Sequence, residues 1–124
     1  MEYTEIPEFS DQRIREDLKS NDPEKIIKAM LSTVLYSANY KLSVETTQLF
    51  FKSTNENIRG CSIECIAHIA RLWNKLPTDF IAIANSAAGD ESSWVRGKAG
   101  DTLDDLEIFI KDFKRLDPGK WDPE

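Results

Sequence analysis

The stretch "IRGCSIECIAHIARL" (58–72) holds both cysteines and the single histidine of a 124-residue chain. Cys61, Cys65 and His68 stand at i, i+4 and i+7, so one side of a helix can carry all three. A structural zinc site takes four ligands, usually with a Cys pair on a turn, and the rest of the sequence offers no second cluster. A disulfide between Cys61 and Cys65 is disfavoured, because successive helical turns hold the two Cβ vectors roughly parallel and too far apart. Both cysteines fall inside the arc of Ile58, Ile69 and Leu72, and free cysteine packs as a small hydrophobe. The segment therefore reads as a buried helix with sulfur as core filler, and neither metal nor cofactor is expected. His68, at the edge of the stripe near Glu64 and Arg71, is either a surface histidine in a charged row or a contact to a partner.

Laid over this stretch at an offset of 37 residues, "VRGKAGDTLDDLEIF" (95–109) matches in chemistry more than in identity. Ile58 falls on Val95, Ser62 on Ala99, Ile66 on Leu103, Ile69 on Leu106 and Leu72 on Phe109, with Arg and Gly shared. An earlier helix joins at an offset of 31, which places Ile27 on Ile58. Each long helix has a candidate N-cap: Asp22 followed by Pro23, Ser53 with Glu56 as a reciprocal capping box, and Asp90 after Gly89. Shorter helices are expected over 10–19, 42–52 and 77–88, the last started by Pro77, and "DPGKWDP" ends the chain as a tail. Apolar residues recur at helical spacing and no period-2 strand stands out. The expectation is an all-α single domain over 1–124, with helix pairs at 10–38, 42–74 and 77–114 and a non-helical tail at 115–124.

Three antiparallel pairs in a shared register would stack as an α-solenoid. The pattern "(I/V)-R-x-x-(small)-x-x-x-(I/L)-x-x-(I/L)" resembles the second helix of HEAT-type repeats over roughly 22–113. The spacing of 31–37 residues is shorter than the usual ~40–47, which calls for a compact variant or an irregular six-helix bundle.

Composition narrows the function. Hydrophobic residues make up 40% of the chain and charged residues 31%, with a formal net charge of −6. The first 24 residues carry eight acids and three bases, the last 24 eight acids and four bases, around a mildly basic middle. This balance opposes nucleic-acid binding, which draws on clustered cations, and fits either a basic protein partner or a merely solvated acidic surface. No run approaches the ~20 apolar residues of a membrane helix. The start, "MEYTEIPEF", lacks the basic and apolar regions of a signal peptide, so a cytoplasmic location is expected. No Gly-rich phosphate loop, nucleophile elbow or His-Glu-x-x-His occurs, and "RGKAGD" (96–101) lies within a helix, so an enzyme is not expected.

The most informative surface is on the last long helix. Val95, Ala99, Leu103, Leu106, Ile110 and Phe113 form its core stripe. About 100° away runs a row of Trp94, Gly97, Asp101, Asp105, Ile108 and Asp112. In the shared register its neighbours are Asn57, Gly60, Glu64, His68 and Arg71, then Ile26, Ala29, Thr33, Ser37 and Tyr40. Side by side, these rows would make one continuous binding ridge. Alternatively Trp94 and Ile108 pack on the tail with Trp121. Gly60 and Gly97, at equivalent positions, point to close helix packing or close approach of a partner.

In size, acidity and HEAT-like build the chain resembles the small immunity proteins of bacterial contact-dependent growth inhibition and related polymorphic toxin systems. That resemblance implies a monomeric, non-catalytic antidote that binds a cognate toxin domain, often a nuclease with a basic cleft. Asp101, Asp105 and Glu64 would then mimic substrate phosphates, and Trp94 would anchor the contact. A HEAT-like scaffold or regulatory subunit unrelated to toxins is the alternative.

Overall fold

The computed structural model describes residues 6–115 and folds them into six helices, with no strand among the described residues. These are α1 (Asp11–Leu18), α2 (Pro23–Tyr36), α3 (Tyr40–Gln48), α4 (Glu56–Trp73), α5 (Thr78–Ala87) and α6 (Ser93–Phe109). Five of the six start at a side-chain oxygen that accepts from the first turn: Ser10, Asp22, Asn39, Asn55 and Ser92. α5 has no such cap and follows Pro77.

Two expected caps are displaced by two residues. Asn55, not Ser53, caps α4, its amide oxygen accepting from both Asn57 N–H and Ile58 N–H. Glu56 then stands at the first helical position, where it cannot close a capping box. Ser92, not Asp90, caps α6, because the Asp90 carboxylate is engaged by Arg59 and by Ser92 N–H. The corrected caps Asn55 and Ser92 keep the 37-residue offset. Asp22 stands 33 residues before Asn55, so the first helix shares the apolar match but not the cap spacing.

Two other boundaries shift. α3 begins at Tyr40 because Asn39 caps it, and after Gln48 the chain turns through Phe50 N–H to Thr47 O and Ser53 N–H to Phe50 O. α6 stops at Phe109, where Ile110 turns extended and Asp112 takes a left-handed φ of 64°. Ile110 and Phe113 still pack on the core edge, but from outside the helix. Of the expected tail, only Arg115 lies within the described residues.

α4 is the central element. It packs against α2, α3, α5 and α6, while α1 covers α2 and α5 also leans on α6. The contacts between α4 and α6 advance together along both helices. Glu64 meets Lys98, Ile63 O accepts from Thr102 Oγ1, and Asn74 Nδ2 reaches Phe109 O. The two helices therefore run parallel. Two arginines set this arrangement at its start. Arg59 Nη1 donates to Ser53 O and Arg96 Nη1 to Asp90 O, each six residues back and 37 residues apart. The shared "(I/V)-R" thus does the same job twice: it ties each helix to the loop that enters it.

Core packing follows from α4's position. Ile63, Cys65, Ile66, Ile69 and Ala70 are buried, with Met30, Leu31 and Val34 of α2 and Val95, Ala99 and Leu106 of α6. Burying each large aliphatic side chain stabilises by about 1.5–3 kcal/mol. Phe80 of α5 meets Phe51 edge-on at 4.9 Å between centroids. Cys61 and Cys65 are free and buried in this core, and burial pushes the Cys65 thiol well above its ordinary pKa. Leu72, expected in the same stripe, lies outside it at 51% exposure, one residue before the helix ends.

Candidate protein-interaction face

Ser92 caps α6 and leaves Trp94 in the first turn, next to the N-terminal half of α4. The indole lies over Gly60 so closely that a Cβ there would come within 2.8 Å of its Cδ1 and Nε1. Gly97, the equivalent glycine of α6, faces open space, so the close packing holds at Gly60 alone. One turn on from Trp94, Lys98 places its Nζ 4.7 Å from the indole centroid and 2.6 Å from Glu64 Oε1. A cation over an indole face is attracted by the ring quadrupole. Glu64 Oε2 lies 3.4 Å from His68 Nε2, and His68 Nδ1 lies 2.5 Å from Arg71 Nη2. Arg71 can only donate, so His68 Nδ1 accepts and the neutral ring carries its proton on Nε2, toward Glu64.

Burial raises the pKa of Glu64, but the hydrogen bonds from His68 and Lys98 and the Lys98 charge outweigh it. Its carboxyl is held below the usual range. The side chains of Glu64 and Lys98 are only 17% and 16% exposed. Glu64 is therefore an internally compensated carboxylate rather than an open one.

The open carboxylates of the expected row are Asp101 and Asp105 on α6 and Asp112 in the turn just past its end. Asp101 and Asp112 are exposed and Asp105 is half-buried, and none of the three makes an ion pair among the described residues. Asp104 and Glu107, on a neighbouring row, are instead bound by Arg115. Ile108 stands out at 72% exposure and Trp94 at 40%.

The continuous ridge across three helices does not form. Ile26, Ala29 and Thr33 of α2 are buried. Tyr40 belongs to α3, meets Trp73 edge-on at 5.7 Å and lies under Lys75 Nζ at 4.4 Å. On α4, Asn57 and Arg71 are exposed, Glu64 and His68 half-buried, and Gly60 buried under Trp94. The reason is the order of packing: α6 lies over the row of α4, while no later helix among the described residues covers the row of α6. Lys98, absent from the expected face, is the residue that joins the two helices there. Its signal was a lysine four residues after an exposed tryptophan.

Among the described residues no group of three or more His, Cys, Asp or Glu could hold a metal ion, and no helix is long and apolar enough to cross a membrane. No protein-family model and no curated protein matches the sequence. Among solved structures the chain is similar to one in the CDI complex from Cupriavidus taiwanensis LMG 19424, with a TM-score of 0.74. The two are 28% identical, and the match covers 88% of this chain and 97% of that one. In sequence and in fold, therefore, this chain resembles a component of a contact-dependent growth inhibition complex, in line with the resemblance to immunity proteins of these systems.

Proposed function

We propose that this chain is a cytoplasmic, non-catalytic immunity protein that binds and neutralises a cognate toxin domain, a nuclease being the class its charge suits. The observation that carries the reading is the near-complete match, at 28% identity, to a chain of a CDI complex. The contact face we assign is the outer side of α6, with Trp94 and Ile108 as apolar anchors among Asp101, Asp105 and Asp112. Asn57 and Arg71 flank it from α4. Aromatic anchors among polar groups are typical of residues that carry binding energy. Open carboxylates suit a partner with a basic cleft, since opposite potentials speed encounter and fix orientation. Glu64 and His68 support this face from behind.

We also read the six helices as a short HEAT-like stack of three antiparallel pairs. Parallel α4 and α6 and the repeated arginine bond favour that reading. The monomer is the expected free form.

The test pairs co-purification with growth. The product of the neighbouring toxin gene is expected to co-purify with this chain, and expression of the chain to restore growth of cells that produce the toxin domain. Growth arrest with no complex formed, at matched expression, would overturn the reading.

A further inference from the structure

The acidic row and the indole of Trp94 belong to α6, but the groups that fix that indole belong to α4. Gly60 provides the space in which the ring lies, and any side chain at this position would collide with Cδ1 and Nε1 at 2.8 Å. Lys98 stacks on the ring at 4.7 Å, and its ammonium is clamped by Glu64 at 2.6 Å. Glu64 is in turn oriented by His68, and His68 by Arg71. A mid-helix glycine costs about 1 kcal/mol relative to alanine, and Gly60 spends that cost where the indole rests.

We infer that Gly60 and Glu64 are positioning residues, which hold the Trp94 indole in one orientation before a partner arrives, Glu64 acting through Lys98. This rests on the toxin-binding reading above. An aromatic anchor fixed beforehand loses little freedom on association, so pre-organisation raises affinity without adding a contact. Neither residue needs to touch the partner. An apparent acid of the face, Glu64, acts by shaping it.

The experiment uses the full chain labelled with 5-fluorotryptophan, with the Trp94 resonance assigned by its loss in Trp94→Phe. In Gly60→Ala and Glu64→Gln the Trp94 resonance is expected to shift and sharpen as the ring is released. The Trp73 resonance, from the core side of α4, should stay in place and so report an intact fold. Binding is read against the co-purified toxin domain: Trp94→Ala should weaken it, and Gly60→Ala and Glu64→Gln should each weaken it about tenfold. If Trp94→Ala binds as the parent does, the assigned face fails. If Trp94→Ala loses affinity while both other variants bind as the parent, or leave the Trp94 resonance unmoved, the positioning role is overturned and the face survives.

Discussion

At the scale of single residues, Glu64 shows how a carboxylate can be acidic in sequence and neutralised in place. Burial works against its charge, while His68 and Lys98 hold the charge in. The net depression of its folded-state pKa has a definite sign. A carboxyl whose pKa is lower folded than unfolded adds stability above the ordinary value of about 4.3, and that stability is lost as pH falls through the folded value. Glu64→Gln removes this contribution and leaves a shielded Lys98 without its counter-charge. The expected loss is about 1–3 kcal/mol at pH 7. The gap should begin to narrow as pH falls below about 4.3, where the unfolded carboxyl takes up its proton, and should close only below the depressed folded value. Urea unfolding of both proteins at neutral and acidic pH checks this, and an offset that does not change with pH would assign the loss to packing instead. The sequence placed His68, Glu64 and Arg71 on one edge, because i, i+3 and i+4 spacing on a helix is local. It did not show Lys98, because a partner 34 residues away depends on how two helices dock.

Elements are read from periodicity, and their ends from caps. Six helices were visible because apolar residues recur at helical spacing and because Asp22, Pro23 and Pro77 mark starts in local chemistry. The starts of α4 and α6 were not, because "STNE" and "DESS" each offer several residues with good capping side chains. Tertiary contact selects among them. Arg59 draws in Ser53 O and takes both oxygens of Asp90, which leaves Asn55 and Ser92 as caps. This assignment predicts an asymmetric result. Asn55→Ala should cost about 1 kcal/mol, the usual value of a lost cap. Glu56→Ala should stay within about 0.5 kcal/mol, as for surface positions outside such features, and Ser53→Ala, which loses only the bond its Oγ accepts from Asn55 N–H, should cost less than Asn55→Ala. Chemical denaturation of the three variants measures it, and a larger loss for Glu56→Ala than for Asn55→Ala would restore the capping box. The Asp90 carboxyl is lowered chiefly by its hydrogen bonds from Arg59, so this junction also weakens in acid, by the same sign argument as Glu64.

At the scale of the molecule, the question is which row of side chains faces a partner. Periodicity gave three equivalent rows, one on each long helix, but it could not say which would stay open. That depends on how the helices dock: the row of α2 is buried at Ile26, Ala29 and Thr33, that of α4 is half-covered, and that of α6 stays largely exposed. The face we propose is therefore one helix wide, centred on Asp101 and Asp105, with Trp94 and Ile108 at its two ends. Reversing both charges, Asp101→Lys with Asp105→Lys, should leave folding nearly unchanged, because neither carboxylate has an ion-pair partner among the described residues. Surface substitutions of this kind usually move stability by no more than about 0.5 kcal/mol. Association should respond strongly. Under the proposed role, a basic partner steered toward the face would now be repelled from it, so the on-rate for the toxin domain should fall by about 10-fold or more at low salt. Added salt should narrow the gap, since screening acts over about 10 Å at 0.1 M. Surface plasmon resonance across a salt series, beside a thermal melt, separates the two effects. An unchanged on-rate in a well-folded double variant would remove the outer side of α6 as the contact surface, whatever the toxin proves to be.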